Sequence, residues 1–159
     1  MTPRRLGDGD LAAIDRLHQR CAEFWELIDG AVPSAAELMH ELPPGVACDD
    51  KHVLGIADDR GELVALIDAS CGYPAANEWF VSLLLLDPAA RGRGLGPALY
   101  AHVEELARSR GGTAMHLIVQ DQNPRALAFW TREGFVIQGK RLQQFGPPNV
   151  VTMLAKRLR

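Results

Sequence analysis

Leu11, Ile14, Leu17, Cys21, Phe24, Trp25 and Ile28 recur at three- and four-residue steps, the spacing that gathers apolar side chains on one face of an α-helix. They predict one long helix, capped by Asp8 or Asp10 and ended by Gly30. Arg4-Arg5-Leu6, just ahead of it, reads as a short first strand. Ser34 followed by Glu37 has the form of a capping box, so Leu38, Met39 and Leu42 predict a second, shorter helix halted by Pro43-Pro44-Gly45. The period then shortens. Residues 53–57 and 63–69 are β-rich, and Asp58-Asp59-Arg60-Gly61 between them has the composition of a hairpin turn. Residues 79–86 are apolar except for Ser82 and are bounded by Asp87-Pro88, which predicts a central strand buried on both faces.

Behind that strand, Arg91, Gly94 and Gly96 lead directly into Pro97-Ala98-Leu99-Tyr100, with Val103, Leu106 and Ala107 at helical spacing and Gly111-Gly112 as the stop. The order is strand, glycine-rich loop, helix. Such a loop leaves the first N–H groups of the helix unpaired where the helix dipole also favours negative charge, and glycines let an anion approach the backbone closely. Residues 116–119 read as a further strand, and Asn123-Pro124 opens a helix behind it. Residues 135–144 and 150–158 are two more strand-like runs, separated by Gly146-Pro147-Pro148-Asn149. This order predicts an α+β layout with a mixed sheet. With no repeat or linker, residues 1–159 read as a single domain.

Composition narrows the function classes. A chain of 159 residues, 47% hydrophobic and 23% charged, has the make-up of one soluble domain with a proper core. No apolar segment approaches the roughly 20 residues needed to cross a bilayer, and the first residues lack the apolar centre of a signal peptide, so a cytoplasmic protein is expected. A net charge of −3 and a pI of about 5.9, without a lysine/arginine cluster, argue against nucleic-acid binding. Cys21, Cys48 and Cys71 are widely spaced and suggest neither a disulfide framework nor a metal site; buried or partly buried thiols are expected.

Two phosphate-binding motifs do not fit the glycine loop. A P-loop needs a lysine and a hydroxyl residue after its last glycine, and a dinucleotide fingerprint needs Gly-x-Gly-x-x-Gly, whereas the chain reads Gly92-Arg93-Gly94-Leu95-Gly96-Pro97. Residues 91–96 carry Arg-x-x-Gly-x-Gly instead. Further on, Asn123, Ala126, Phe129, Gly134 and Phe135 carry a second signature, Asn-x-x-Ala-x-x-Phe followed by Gly-Phe. In this order the two motifs resemble those of the GNAT acetyltransferase superfamily, over roughly residues 53–140.

The resemblance implies a GNAT fold, a mixed and mostly antiparallel sheet flanked by helices with splayed central strands. It implies acetyl-CoA as co-substrate, no metal, a small-molecule amine as acceptor, and a monomer or homodimer. Backbone groups of Leu84, Leu85 and Leu86 would pair with the pantetheine arm. Backbone amides of Arg91, Gly92, Arg93, Gly94, Leu95 and Gly96 would hold the pyrophosphate, with the Arg91 and Arg93 side chains adding charge; Pro97 removes one donor. Asn123 is a natural N-cap by its own position and, by resemblance, also reaches the coenzyme, next to Ala126 and Trp130 on the same helix.

Departures from the family pattern bear on mechanism. Trp130 stands where the family usually has a tyrosine that protonates the leaving thiolate, and an indole is no practical acid at neutral pH. Tyr73 and Tyr100 are the tyrosines present, Tyr100 placed for packing. Ile118 occupies the position where protein N-terminal acetylases carry a base glutamate, which counts against a peptide N-terminus as acceptor. Glu78 is the candidate base, on one face with Phe80, Ser82 and Leu84 if no bulge intervenes; an exposed glutamate is the plain alternative, and Asp68 or His116 acting through water are others. Phe24 and Trp25 line an acceptor pocket or serve as plain core. A degenerate domain that binds coenzyme A or a partner without catalysis is the second reading.

Overall fold

The computed structural model describes residues 1–143 and 147–159. Strand β1 (Arg4–Arg5) is followed by helices α1 (Leu11–Arg20), α2 (Ala22–Asp29) and α3 (Ala35–His40). Strands β2 (Lys51–Ala57), β3 (Leu63–Cys71) and β4 (Glu78–Leu86) then run into α4 (Leu95–Ser109), β5 (Ala114–Gln120), α5 (Pro124–Arg132), β6 (Val136–Leu142) and β7 (Val150–Arg157). The seven strands form one sheet in the order β1-β2-β3-β4-β5-β7-β6. Every neighbouring pair is antiparallel except β4 with β5.

The sheet carries a core on each face. On one, Trp79, Val81, Met115, Leu117 and Leu154 pack with Leu99, Val103 and Ala107 of α4 and with Trp130 of α5. On the other, Val53, Leu66 and Leu85 pack with Ile14 and Leu17 of α1, Trp25 of α2 and Leu38 of α3. Ser34 Oγ accepts the Glu37 N–H at 3.1 Å, the cap expected for α3, and Asp58 Oδ1 accepts from the Arg60 and Glu62 N–H groups in the β2–β3 hairpin. Asn123 Oδ1 accepts the Ala126 N–H at 3.2 Å and caps α5.

Several expectations are corrected. The long first helix is broken at Cys21, whose φ of −102° and ψ of 20° end α1 before α2 begins. The break turns the Cys21 thiol onto the Leu86 carbonyl, 3.3 Å away at the end of β4. Asp10 does not cap α1 with its side chain; its carboxylate accepts the Gly7 N–H and pairs with Arg4. Leu42 lies beyond the end of α3. Cys48 is exposed, because a one-turn 3-10 helix ahead of β2 carries it at the surface, whereas Cys21 is buried and Cys71 half-buried. Strand β2 starts at Lys51 rather than 53, and β3 runs on to Cys71. The expected end of one strand at Gln144 and the turn residue Gly146 lie outside the described residues.

A bulge does intervene in β4. Asp68 opposes Leu83 and Ala69 opposes Val81, which leaves Ser82 without a partner. The extra residue inverts the phase of the strand. Trp79 and Val81 share a face with Leu84 and Leu86, whereas Leu83 and Leu85 join the core under α1 and α2. Glu78 and Phe80 are therefore not on one face with Leu84.

Candidate active site

Strands β4 and β5 pair only at Glu78–Ala114, Trp79–Met115 and Phe80–His116. Past that point β4 keeps only β3, with Leu84, Leu85 and Leu86 opposite Ile67, Leu66 and Ala65, and β5 keeps only β7. Among the described residues, the facing edges of the two central strands have no strand partner there. Polar backbone groups without partners are costly to bury, so such a cleft is suited to a ligand that carries its own amides.

At the end of this cleft β4 runs into the glycine loop. Asp87 fixes the turn, its carboxylate accepting the Ala89 N–H at 2.9 Å and an Arg20 contact at 2.6 Å. Burial alone would raise Asp87, but those hydrogen bonds and the charges of Arg20 and Arg91 hold its carboxyl below the ordinary range. Gly92 and Gly94 both adopt φ of +77°, a left-handed turn that a side chain would strain. Among the described residues, the N–H groups of Gly92, Arg93, Gly94, Leu95 and Gly96 find no acceptor, and the first bond of α4 is Ala98 N–H to the Gly94 carbonyl at 3.1 Å. A Cβ on Gly96 would stand 3.4 Å from the Phe129 ring, so that glycine lets α4 approach α5 beside the loop. Unpaired amides at the start of a fifteen-residue helix form an anion cradle.

A cavity of about 840 Å³ joins these parts, within the range of about 300–1,000 Å³ usual for small-molecule sites. Leu84, Leu85, Leu86, Arg91, Gly92, Gly94, Leu95, Gly96, Asn123, Ala126 and Trp130 all line it. Arg93 and Glu78 do not. The Glu78 carboxylate instead lies 3.4 Å from His116 Nε2, where the β4–β5 ladder is still intact. On the opposite face of the sheet the same cavity is walled by Phe24, Trp25, Tyr73 and Phe80, with Asp29 and Asp68 among its lining, and Ile118 lies along it. Phe24 and Trp25 thus serve as core and as wall at once.

Trp130 is buried in an aromatic cluster, its ring 4.8 Å from Phe129, 5.3 Å from Tyr100 and 5.3 Å from Phe135. Tyr100 is fully buried in that cluster, and burial first, with Glu104 and Glu133 adding to it, pushes its phenol well above the ordinary value. Tyr73 is the tyrosine that lines the cavity, edge-on to Phe80 at 5.2 Å.

Sequence reasoning passed over Lys51. Its ammonium is buried, 2.9 Å from Asp68 Oδ2 and 2.6 Å from the Glu41 carbonyl. Strand alternation was the signal that could have found it, since Lys51 shares a face with Val53, the Cα partner of Asp68. The segment 41–44 beyond α3, which also lines the cavity, carries no such signal.

Residues 12–135 match the family model described as "Acetyltransferase (GNAT) family". A protein named acetyltransferase Atu2258, from Agrobacterium fabrum, is 37% identical over 111 residues, which cover 68% of this chain and 76% of that one. A mycothiol acetyltransferase from Beutenbergia cavernae is 34% identical over 86 residues, 54% of this chain but only 29% of that protein. Among solved structures, a phosphinothricin acetyltransferase from Sinorhizobium meliloti in complex with AcCoA shares the fold with a TM-score of 0.78 at 21% identity, covering 99% of this chain and 88% of that one. The family match takes in the parted strands, the glycine loop and the capped helix α5 together, and the chain belongs to the GNAT family of acetyltransferases.

Proposed function

We propose that this chain is an acetyl-CoA-dependent N-acetyltransferase that acts on the amine of a small molecule in the cytoplasm, with residues 1–159 as one catalytic unit, monomeric or homodimeric. The observation that carries this reading is the continuity of one cavity from the unpaired amides of Gly92, Gly94, Leu95 and Gly96, through the parted edges of β4 and β5, to an aromatic wall on the other face. Bound acetyl-CoA would supply a thioester-activated acetyl group. The amides of residues 92–96 and the Arg91 side chain would hold its pyrophosphate. The free edge of β4 at Leu84, Leu85 and Leu86 offers backbone donors to an extended amide chain, and donors already in place stabilise a carbonyl oxygen as it gains negative charge. Asn123 contributes through its place at the start of α5, where its amide both caps the helix and lines the cavity.

No phenol stands at Trp130, Tyr100 is buried apart from the cavity, and Tyr73 lines its aromatic wall on the other face of the sheet, so in this reading the departing thiolate would take its proton from water or from the amine itself. That same substitution favours the second reading, a domain that binds the coenzyme without transferring acetyl. Thermal unfolding with coenzyme A, acetyl-CoA, NAD and ATP at equal concentration tests the binding half, and free-thiol release across a panel of amines tests the transfer half. Stabilisation by the two coenzymes above the nucleotides is expected. Equal shifts for all four ligands would refute the assignment, and coenzyme binding without thiol release from any amine would favour the second reading.

A further inference from the structure

Asp68 lies mid-strand in β3, directly opposite Leu83 and next to the unpaired Ser82 of the β4 bulge. It is 2% exposed, yet it lines the cavity, and by alternation from Leu66 its side chain belongs to the face under α1 to α3, the aromatic side. One carboxylate oxygen, Oδ2, is paired with Lys51 at 2.9 Å. The other, Oδ1, is buried and has no hydrogen-bond donor among the described residues. A carboxylate oxygen left without a donor in a buried site is costly, and a native protein retains one where a ligand or a single water completes it. Phe24, Trp25, Tyr73 and Phe80 wall the same space, and aromatic faces attract a cation.

We propose that Asp68 is the catalytic carboxylate of the acceptor side, whose Oδ1 binds and deprotonates, directly or through one water, a protonated primary amine carried on an apolar or aromatic body. This rests on the acetyltransferase reading given above and names its base and its substrate class. The N–H bond of the ammonium breaks and an O–H bond forms on Oδ1, leaving a neutral amine. Its nitrogen lone pair then bonds to the acetyl carbon, the carbon–sulfur bond breaks with its electron pair on sulfur, and the nitrogen's surplus proton goes to that sulfur; Asp68 returns its proton to solvent. Lys51 on β2 and Glu41 beyond α3 are the charged groups that act on Asp68. Burial pushes the Asp68 carboxyl up to about 6, while the Lys51 charge pulls against it and Glu41 adds to the rise. A base of that strength is mostly ionised at neutral pH and still able to take a proton, near the optimum for the task. Lys51 is a positioning residue that sets how strong the base is. Glu78, by contrast, lies outside the cavity, 3.4 Å from His116 Nε2.

The test uses phenethylamine as acceptor, with kcat/KM measured from pH 5 to 8. Asp68→Asn should lower kcat/KM by about 10²- to 10⁴-fold and remove the acid limb, and phenethylamine should no longer raise the melting temperature. Because Asp68→Asn leaves Lys51 buried without a counter-charge, the Lys51→Met/Asp68→Asn double variant is tested beside it, with coenzyme A binding as the measure of an intact fold. Lys51→Met alone should move the acid limb to higher pH, a shift that a purely structural role would not produce. An acid limb unchanged in the folded double variant, or one removed by Glu78→Gln instead, overturns the role of Asp68 and leaves the acetyltransferase reading standing. Transfer by the wild type to polar amines but not to phenethylamine overturns the substrate class. No transfer to any amine and no response to coenzyme A overturn the underlying reading as well.

Discussion

His52 on β2 and Asp68 on β3 are buried on opposite faces of the sheet and titrate with opposite consequences for stability. His52 is 2% exposed, stacked on the Trp79 ring at 5.3 Å and 26°, with Arg110 3.4 Å from its Nε2. Burial first, then the charges of Arg5 and Arg110, push its imidazole down to about 4. A histidine whose folded pKa lies below its ordinary 6.5 contributes stability that is present above about pH 6.5 and lost as pH falls toward 4. Asp68 is the reverse. Its carboxyl is raised from 3.8 to about 6, so its contribution is full below pH 3.8 and lost as pH rises through 6. At about 1.4 kcal/mol per pH unit each displacement corresponds to on the order of 3 kcal/mol, and between pH 4 and 6 the two slopes nearly cancel. His52→Phe, which keeps a flat ring on Trp79, should therefore leave a protein that loses on the order of 3 kcal/mol from pH 4 to 6, and Asp68→Asn one that gains a similar amount. Urea unfolding at half-unit steps of pH measures this. Each variant is compared with wild type so that the other carboxylates drop out of the difference. Three parallel curves would refute the buried, shifted state of both groups.

Gly94→Asp should abolish coenzyme A binding in a thermal-shift assay, because its carboxylate would occupy the amides of residues 92–96. Gly94→Ala, which meets nothing within 4 Å but keeps the strained φ of +77°, should cost only about 1 kcal/mol of stability and retain affinity. Equal loss in both variants would show that strain, not charge, disables the loop. Trp130→Ala should destabilise the protein by about 3–5 kcal/mol, since the indole is packed among Tyr100, Phe129 and Phe135. Trp130→Tyr should fold and keep acetyl transfer within tenfold of wild type, with denaturation curves and thiol-release kinetics as the two readouts; an unchanged melting temperature for Trp130→Ala would contradict the packing.

The glycine-loop side of the cavity was legible in the sequence because its signals are local. A strand that ends at Asp87, glycines that must turn left-handed at 92 and 94, and an asparagine before a proline at 123 each declare their backbone geometry within a few residues. The aromatic side of the cavity depends on contacts remote in sequence. Cys21 breaks the first helix where its thiol meets Leu86, and the segment 41–44 reaches the cavity only because α3 lies across the sheet. Neither departure leaves a mark on hydrophobic periodicity, since Phe24, Trp25 and Ile28 have the same spacing whether or not the helix is interrupted.

The bulge at Ser82 shows how one unpaired residue divides the labour of the two faces. Without it, β4 would present Phe80 and Leu84 on the same side of the sheet. With it, Leu84 and Leu86 turn toward α4 and the glycine loop, and Leu83 turns toward the face of Asp68. The switch occurs just past Phe80 and His116, the last pair of the β4–β5 ladder. The strand therefore changes face where the sheet opens, so the cavity passes from one side of the sheet to the other within the length of a few residues. In the proposed reaction, a transferred group held at that opening would lie between the free edge of β4 and Asp68 on β3. Glu78, on the closed side of the same opening, is separated from it by the intact pairs of the ladder. Even alternation put Glu78 on one face with Leu84; the uneven count at Ser82 parts them, and the proposed base, Asp68, stands on β3 opposite Leu83, past that bulge.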